Sequence, residues 1–226
     1  MKNKHQSAHT HQANAGQAVY SKSTLSLYDF FVLGISNRFL WRCPTEQLLS
    51  HYNRHVTGNH LDVGVGTGYF LDHCKFPSGE PRLALMDMNK SSLAYAAHRV
   101  ARYQPDSHQQ NVLLPIETDI KKFDSIAINY LLHCLLGAIT SKAVVFKHLQ
   151  TLMNPGATLF GSTIVQGNAP RNGCAQQLMN FYNRKGIFSN QQDCLEDLRS
   201  ELSQSFTSVE IKMIGCVALF SAQLVL

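Results

Sequence analysis

An α/β fold built on a doubly wound, mostly parallel sheet is the architecture this chain predicts. Two patterns carry that expectation. From about residue 60 onward, short apolar strand-like runs alternate with helix-like periodic segments, as crossover units require. A glycine-rich turn, Gly64-Val65-Gly66-Thr67-Gly68, follows the first such run and opens a helical pattern. The 226 residues suffice for one sizeable core, and 44% hydrophobic against 15% charged residues excludes a disordered chain.

Residues 1–18 are rich in His, Gln, Asn and Ala and lack apolar periodicity, so a disordered tail is expected there. Residues 19–56 read as a helical segment. Leu25, Tyr28, Phe31 and Val32 recur at helical spacing, followed by Ile35, Phe39 and Leu40, and Cys43-Pro44 breaks the run before a helix over Thr45–His55. The domain proper then covers 57–226. Its expected strands are His60–Gly64, Arg82–Asp87, Val112–Pro115, Phe123–Tyr130, Ala157–Val165, Ser208–Ile214 and Cys216–Leu224. Helices are expected at Thr67–Cys74, Ser91–Tyr103, Thr140–Met153, Asn172–Arg184 and Asn190–Ser203, with a turn at Asn154-Pro155-Gly156. The last two strands, joined through Gly215 alone, predict an antiparallel edge.

The net charge of +5 is spread along the chain, and Lys121-Lys122 is its longest basic run, so no nucleic-acid footprint is expected. The six cysteines are widely spaced, without a C-x-x-C pair, which fits a reducing cytoplasm better than a disulfide framework. No apolar stretch is long enough for a membrane span, and no secretion signal opens the chain. His51 and His55 stand one helical turn apart without a third ligand; they read as an exposed helix face, and no metal is expected.

The segment Leu61-Asp62-Val63-Gly64-Val65-Gly66-Thr67-Gly68 is the most informative. Glycines at a strand-to-helix turn let the backbone approach a ligand at the carboxyl end of a strand. A dinucleotide spacing G-x-G-x-x-G fails in both registers, where Tyr69 or Leu71 stands in place of the third glycine, and no G-K-[ST] phosphate loop is present. The segment resembles motif I, D/E-x-G-x-G-x-G, of the class I S-adenosylmethionine (SAM)-dependent methyltransferases, small-molecule type. That resemblance covers about residues 55–224. It implies a Rossmann-like seven-stranded sheet with an antiparallel last strand, an N-terminal helical lid and SAM as cofactor. It also implies that Gly64, Gly66 and Gly68 pack under the methionine part of SAM and that Asp62 binds its ammonium.

Further roles follow from the same resemblance. Asp87, ending the second strand, binds the ribose hydroxyls, and Met88 packs on the adenine. Asp119, placed after the third strand, bonds the adenine amino group. Phe123–Tyr130 resembles motif IV, which brings Asn129 and Tyr130 beside the sulfonium. Enzymes that methylate base amines or glutamine amides carry N/D-P-P-Y there; Asn129-Tyr130-Leu131-Leu132 lacks the prolines, which disfavours both classes. His133 is the candidate general base, since imidazole titrates near neutral pH. Tyr20, Tyr28 and Trp41 of the lid are candidates to wall the site or stack on an acceptor. The activity expected is methyl transfer to an O or N atom of a small molecule, such as a secondary metabolite. An RNA or protein methyltransferase, and a SAM-binding protein without transfer, are the alternatives, and a homodimer is left open.

Overall fold

The protein is described as a computed structural model covering residues 36–116, 119–167 and 171–225. The predicted tail, and Tyr20 and Tyr28 of the predicted lid, lie outside these residues. The described chain begins with a π-type turn over residues 36–40. Helix α1 (Thr45–His55) follows, then strand β1 (Asn59–Val63), helix α2 (Tyr69–His73), β2 (Arg82–Asp87) and α3 (Lys90–Arg99). Next come β3 (Asp106–Gln109), β4 (Phe123–Asn129), two short helices α4 (Ile139–Lys142) and α5 (Val144–Gln150), and the long strand β5 (Met153–Ile164). Helices α6 (Gly173–Arg184) and α7 (Leu195–Ser205) precede the closing strands β6 (Thr207–Ile214) and β7 (Val217–Gln223).

The seven strands form one sheet in the order β3-β2-β1-β4-β5-β7-β6. β1 to β5 run parallel to one another, and β7 runs antiparallel to both β5 and β6. The strand order reverses between β1 and β4. The crevice outside the carboxyl ends of the strands at such a reversal is where open α/β sheets bind ligands.

Residues of one strand alternate between two cores, as the pleat demands. Leu61 and Val63 of β1, Ala84 and Met86 of β2, and Ile126 and Ile128 of β4 face α5 and α7, where Val145, Phe146, Leu149, Leu198 and Leu202 are buried. Leu83, Leu85 and Ala127 face the other way, against Tyr52 and Val56 of α1, Leu71 of α2 and Leu93 and Ala96 of α3. His60 and Asp62, in step with these, share the face that α1 covers. A third cluster joins Trp41, Leu48, Met179 and Phe188 to β7.

Two expectations need correction. The third strand is Asp106–Gln109, and Val112–Pro115 is turn and loop. A polar edge strand pairs through its backbone, so Asp-Ser-His-Gln carries no apolar signal, whereas Val112 and Leu113 are apolar because they pack beneath the loop that leaves it. The closing pair forms the expected antiparallel edge: β7, buried throughout but for Gln223, inserts between β5 and β6, and the half-exposed β6 is the outer strand. His51 does not lie on an exposed helix face. Its Nε2 donates to the carbonyl of Phe220, 2.9 Å away, and so ties α1 to β7.

The turn between β6 and β7 is Gly215-Cys216, with Gly215 at φ +57°. Cys216 donates its N–H to the Trp41 carbonyl at 2.9 Å, and a Cβ on Gly215 would stand 2.2 Å from that same oxygen. Both strain and clash oppose a side chain here. Gly215→Ala should cost about 2 kcal/mol or more and lower the thermal midpoint accordingly. An unchanged midpoint in a melting experiment would show that the hairpin can turn without glycine.

Candidate functional site

Four loops meet at the carboxyl ends of the central strands. After β1, Gly64, Gly66 and Gly68 all take positive φ, at +72°, +52° and +72°. Each is constrained differently. Gly64 donates its N–H to Met86 at 2.8 Å, and a Cβ there would press 2.8 Å from Leu131 in the loop after β4. Gly68, at the start of α2, faces Ala96 of α3 with only 3.1 Å for a Cβ. A Cβ on Gly66 would meet nothing within 4 Å, so this glycine faces open space. Of the three, only Gly66 combines a left-handed backbone, which other residues rarely adopt, with an uncovered side, the arrangement of a cradle rather than a plain turn.

Two carboxylates stand at the base of the cradle. Asp62 is 6% exposed, and its Oδ2 accepts the hydroxyl of Tyr52 at 2.7 Å. Burial pushes its pKa up to about 7; the Tyr52 hydroxyl opposes that and the charge of Asp87 adds to it. Asp87 accepts the N–H of Asn89 at 2.8 Å, and nearby backbone N–H groups of Gly66, Met88 and Val65 favour its ionised form. Burial raises its pKa despite these donors. Two neighbouring acids held partly desolvated resist a second negative charge and welcome a cation. A pyrophosphate is the wrong ligand for such a base; an ammonium fits it.

After β4, Asn129 accepts the Ser162 hydroxyl at 3.0 Å, while its Nδ2 is buried without a protein partner. An amide nitrogen so placed suits an acceptor oxygen of a ligand in the crevice. Tyr130 is held at φ +55°, a strained setting for a residue with a side chain, and its hydroxyl donates to Asn37 Oδ1 at 2.8 Å. Asn37 is fully buried and also donates to Thr45 at 3.0 Å. The described part of the predicted lid thus reaches the site through Asn37. Trp41 does not serve there: it is 1% exposed and packs against Phe188 in the core, with no face left for an acceptor.

His133 follows in a short turn, 2% exposed, its ring edge against Phe188 and Tyr130 at 4.5 and 5.4 Å. Its Nδ1 accepts the N–H of Ile164 at 3.2 Å, and Thr163 Oγ1 lies 3.3 Å from the same nitrogen. Because a backbone N–H can only donate, Nδ1 carries no proton, and the neutral ring is protonated on Nε2. Burial, with Lys142 nearby, lowers its pKa to about 3. The ring therefore offers a hydrogen-bond donor rather than the proton acceptor that the sequence suggested.

The corrected third strand moves the adenine end of the site. Register pairs Asp87 with Gln109, so the loop leaving β3 begins at Gln110, whose N–H donates to the Asp87 carbonyl at 3.2 Å. Gln109 Nε2 donates to the carbonyl of Met88 at 3.1 Å. Asn111 and Val112 hold the place at the strand's end that the sequence reading gave to Asp119, which is exposed in the loop before β4. Sequence reasoning also missed Tyr52, His60, Asn37 and Lys142. Polar residues at apolar-face positions were the signal for the first two.

A family profile described as "Methyltransferase domain" matches residues 61–159. The demethylluteothin O-methyltransferase of Streptomyces thioluteus is 37% identical over 207 residues, covering 92% of this chain and 90% of that protein. A physcion biosynthesis cluster O-methyltransferase of Aspergillus chevalieri is 35% identical over 209 residues, covering 92% and 94%. Among solved structures, a DhpI–SAH complex superimposes with a TM-score of 0.68 at 13% identity, covering 95% of each chain, which is a likeness of fold. The sheet order, the glycine cradle and its paired carboxylates define a Rossmann-like nucleoside-binding α/β enzyme. The chain belongs to the class I SAM-dependent methyltransferases.

Three histidines of this framework carry depressed pKa values, chiefly through burial: His51 to about 4, and His60 and His133 to about 3. The unfolded chain protonates them near 6.5. Their stabilising contribution is fully present above that pH and is lost as pH falls toward 3 to 4. Asp62, raised to about 7, works in the opposite sense over part of the window, as do Asp87 and Asp193, also raised by burial, but His55 and His108, lowered by the same cause, join the three histidines against them. The thermal midpoint should therefore fall steadily from pH 6.5 to pH 4. A midpoint that rises or stays level over that range would contradict these assignments.

Proposed function

We propose that the protein transfers the methyl group of SAM to an oxygen or nitrogen of a small, apolar, aromatic acceptor of the secondary-metabolite kind. The near-full-length similarity to an enzyme named for O-methylating demethylluteothin carries this reading. The half-buried rings of Tyr130 and Tyr182, packed on the buried His133 and Phe188, support it, since such rings suit a planar acceptor. Six free cysteines are consistent with action in the cytoplasm, and among the described residues no helix is long and apolar enough to cross a membrane.

The site residues fit SAM. Asp62 receives the ammonium, Asp87 the ribose hydroxyls, and the backbone at Gly64–Gly68 the methionine chain, while Met88 and the Asn111–Val112 loop flank the adenine. Asn129 offers its unpartnered Nδ2 to an acceptor on the cofactor, next to Tyr130. When bound, SAM supplies an electrophilic methyl group, so the protein need only align the acceptor and exclude water. His133 does so as a donor: with its proton on Nε2 it orients the acceptor, and it takes no proton from it. Tyr130, braced by Asn37, closes the same side.

Calorimetric titration with SAM and with S-adenosylhomocysteine tests the reading, followed by a screen of phenolic and amine acceptors. Both ligands should bind, and Asp87→Asn should weaken binding by about 1–3 kcal/mol through lost hydrogen bonds. Folded protein that binds neither ligand would refute the assignment.

A further inference from the structure

A buried chain of hydrogen bonds ends on Asp62, and neither the family motif nor the methyl transfer uses it. Tyr52 of α1 sits between two residues of β1: its hydroxyl is 2.7 Å from Asp62 Oδ2 and 2.8 Å from His60 Nε2. The other ring nitrogen, His60 Nδ1, is 2.8 Å from the hydroxyl of Ser125 on β4. Ser125 Oγ accepts the N–H of Thr57 at 3.0 Å and lies 2.8 Å from Thr57 Oγ1, which in turn is 3.0 Å from the carbonyl of Asn59. Tyr52, His60 and Ser125 are fully buried. Tyr52 stacks on Phe70 at 5.7 Å and stands edge-on to Phe160 at 5.2 Å, while His60 stacks on Phe160 at 5.8 Å. These rings keep water from the chain, so each of its bonds is strong and none can be left unmade at small cost.

The chain admits two complete hydrogen arrangements. With Asp62 ionised, Thr57 donates to Ser125, Ser125 to His60 Nδ1, His60 Nε2–H to Tyr52, and Tyr52 to the carboxylate. With Asp62 protonated, every bond reverses: Asp62 donates to Tyr52, Tyr52 to Nε2, Nδ1–H to Ser125, Ser125 to Thr57 and Thr57 to the Asn59 carbonyl. Between them Asp62 exchanges one proton with solvent, and the hydrogens on the relay keep their number. A mixed arrangement leaves one donor facing another or two lone pairs together in a buried space. The tautomer of His60 is thus tied to the charge of Asp62.

We propose that Tyr52 and His60 are positioning residues for the cofactor, a relay that aims Asp62 at the cofactor's ammonium and switches its hydrogen-bond direction as Asp62 ionises on binding it. This rests on the reading that Asp62 receives that ammonium. The charged and titratable groups facing Asp62 are consistent with it. Tyr52 from α1 donates; Asp87 from β2 raises its pKa; and Cys74 after α2, pushed up to about 12 by burial, stays a neutral thiol. Tyr52 itself is held well above its usual pKa by burial and by Asp62, and His60, at about 3, is neutral across the working range. A cation entering beside Asp62 favours its ionised form. Affinity is then full above the pKa of the free carboxyl, about 7, and falls as pH drops below it. Losing the Tyr52 hydroxyl raises that pKa and moves the fall to higher pH.

The test follows His60 by long-range proton–nitrogen correlation spectra, with S-adenosylhomocysteine as the ligand because it carries the same ammonium and is not consumed. At pH 6 the free wild type should show mainly the Nδ1–H form, and the ligand should convert it to Nε2–H. Tyr52→Phe, which keeps the ring packing, should uncouple the tautomer from the ligand and weaken binding about tenfold at pH 7. Its affinity-versus-pH curve should also shift to higher pH. Ser125→Ala, which touches neither Asp62 nor the cofactor site, should shift the curve the same way to a smaller extent. A His60 tautomer indifferent to the ligand, or a Tyr52→Phe pH curve that overlays the wild type, would overturn the relay. Asp62→Asn separates the two ideas. Should it bind as tightly as wild type, the ammonium reading falls and the relay with it; weakened binding beside an unaffected Tyr52→Phe rejects the relay alone.

Discussion

Strand β1 is hydrogen-bonded on both sides, to β2 and to β4, and the order of the sheet reverses beside it. That constraint organises the rest. A strand so enclosed must bury both faces, and its alternation sends Leu61 and Val63 into one core and His60 and Asp62 into the other. Two polar groups in an interior need partners; Ser125 of the neighbouring strand β4 supplies one for His60, and an element lying over that face must supply the rest. Helix α1 does so through Tyr52. At its carboxyl end β1 continues its ladder by one bond, from Gly64 N–H to Met86, before the chain turns under Leu131. The cradle's position is therefore fixed by sheet pairing and by the loop after β4 together.

The acceptor side is built differently, from loops pinned at buried points. Lys142 and Asp193 form an ion pair at 2.7 Å, with no exposure of either side chain, and Lys142 also donates to the Ser189 carbonyl. Burial lowers the pKa of Lys142 and raises that of Asp193, each opposed by the partner's charge. Such a pair is a poor source of net stability, because desolvation consumes most of the attraction. Its effect here is geometric. Ser189 donates its N–H to the His133 carbonyl at 2.8 Å, and Asn190 donates to the Ile164 carbonyl at 3.0 Å. The segment carrying Phe188 is thereby held against His133 on one side and against Tyr182 of α6 on the other.

The fold was legible where pattern and physics agree. Alternating apolar segments predicted the doubly wound sheet, and strands β1, β2, β4 and β5 lie within a few residues of expectation, although Asn154-Pro155-Gly156 proved to be a bulged start to β5 rather than a turn before it. What failed was the polar strand β3, which is bound by backbone alone, and with it the placing of Asp119. The antiparallel closing pair was legible too, and its order follows from pattern: Val217-Ala218-Leu219-Phe220 is apolar on both faces, whereas Thr207–Ile214 alternates. The motif named Asp62 and the three glycines but not what surrounds them, because a hydrogen-bond partner is chosen by tertiary contact. Likewise the tautomer of His133 depends on the Ile164 N–H, thirty-one residues away, and no local pattern reports it.

The family profile begins at residue 61, yet part of the site lies before it. Tyr52 bonds Asp62 from α1, and Asn37 braces Tyr130 from the turn ahead of α1. Neither bond is replaceable by water without opening a buried space, since Tyr52 and Asn37 are both fully buried. The described part of the segment ahead of the motif thus supplies buried hydrogen-bond partners to Asp62 and Tyr130. This explains why Trp41, the most conspicuous aromatic of the segment, faces the core: it anchors the segment, and the smaller polar groups beside it reach the chemistry. A variant that loosened this anchor would reach Asp62 and Tyr130 together, through two hydrogen bonds made from one stretch of chain.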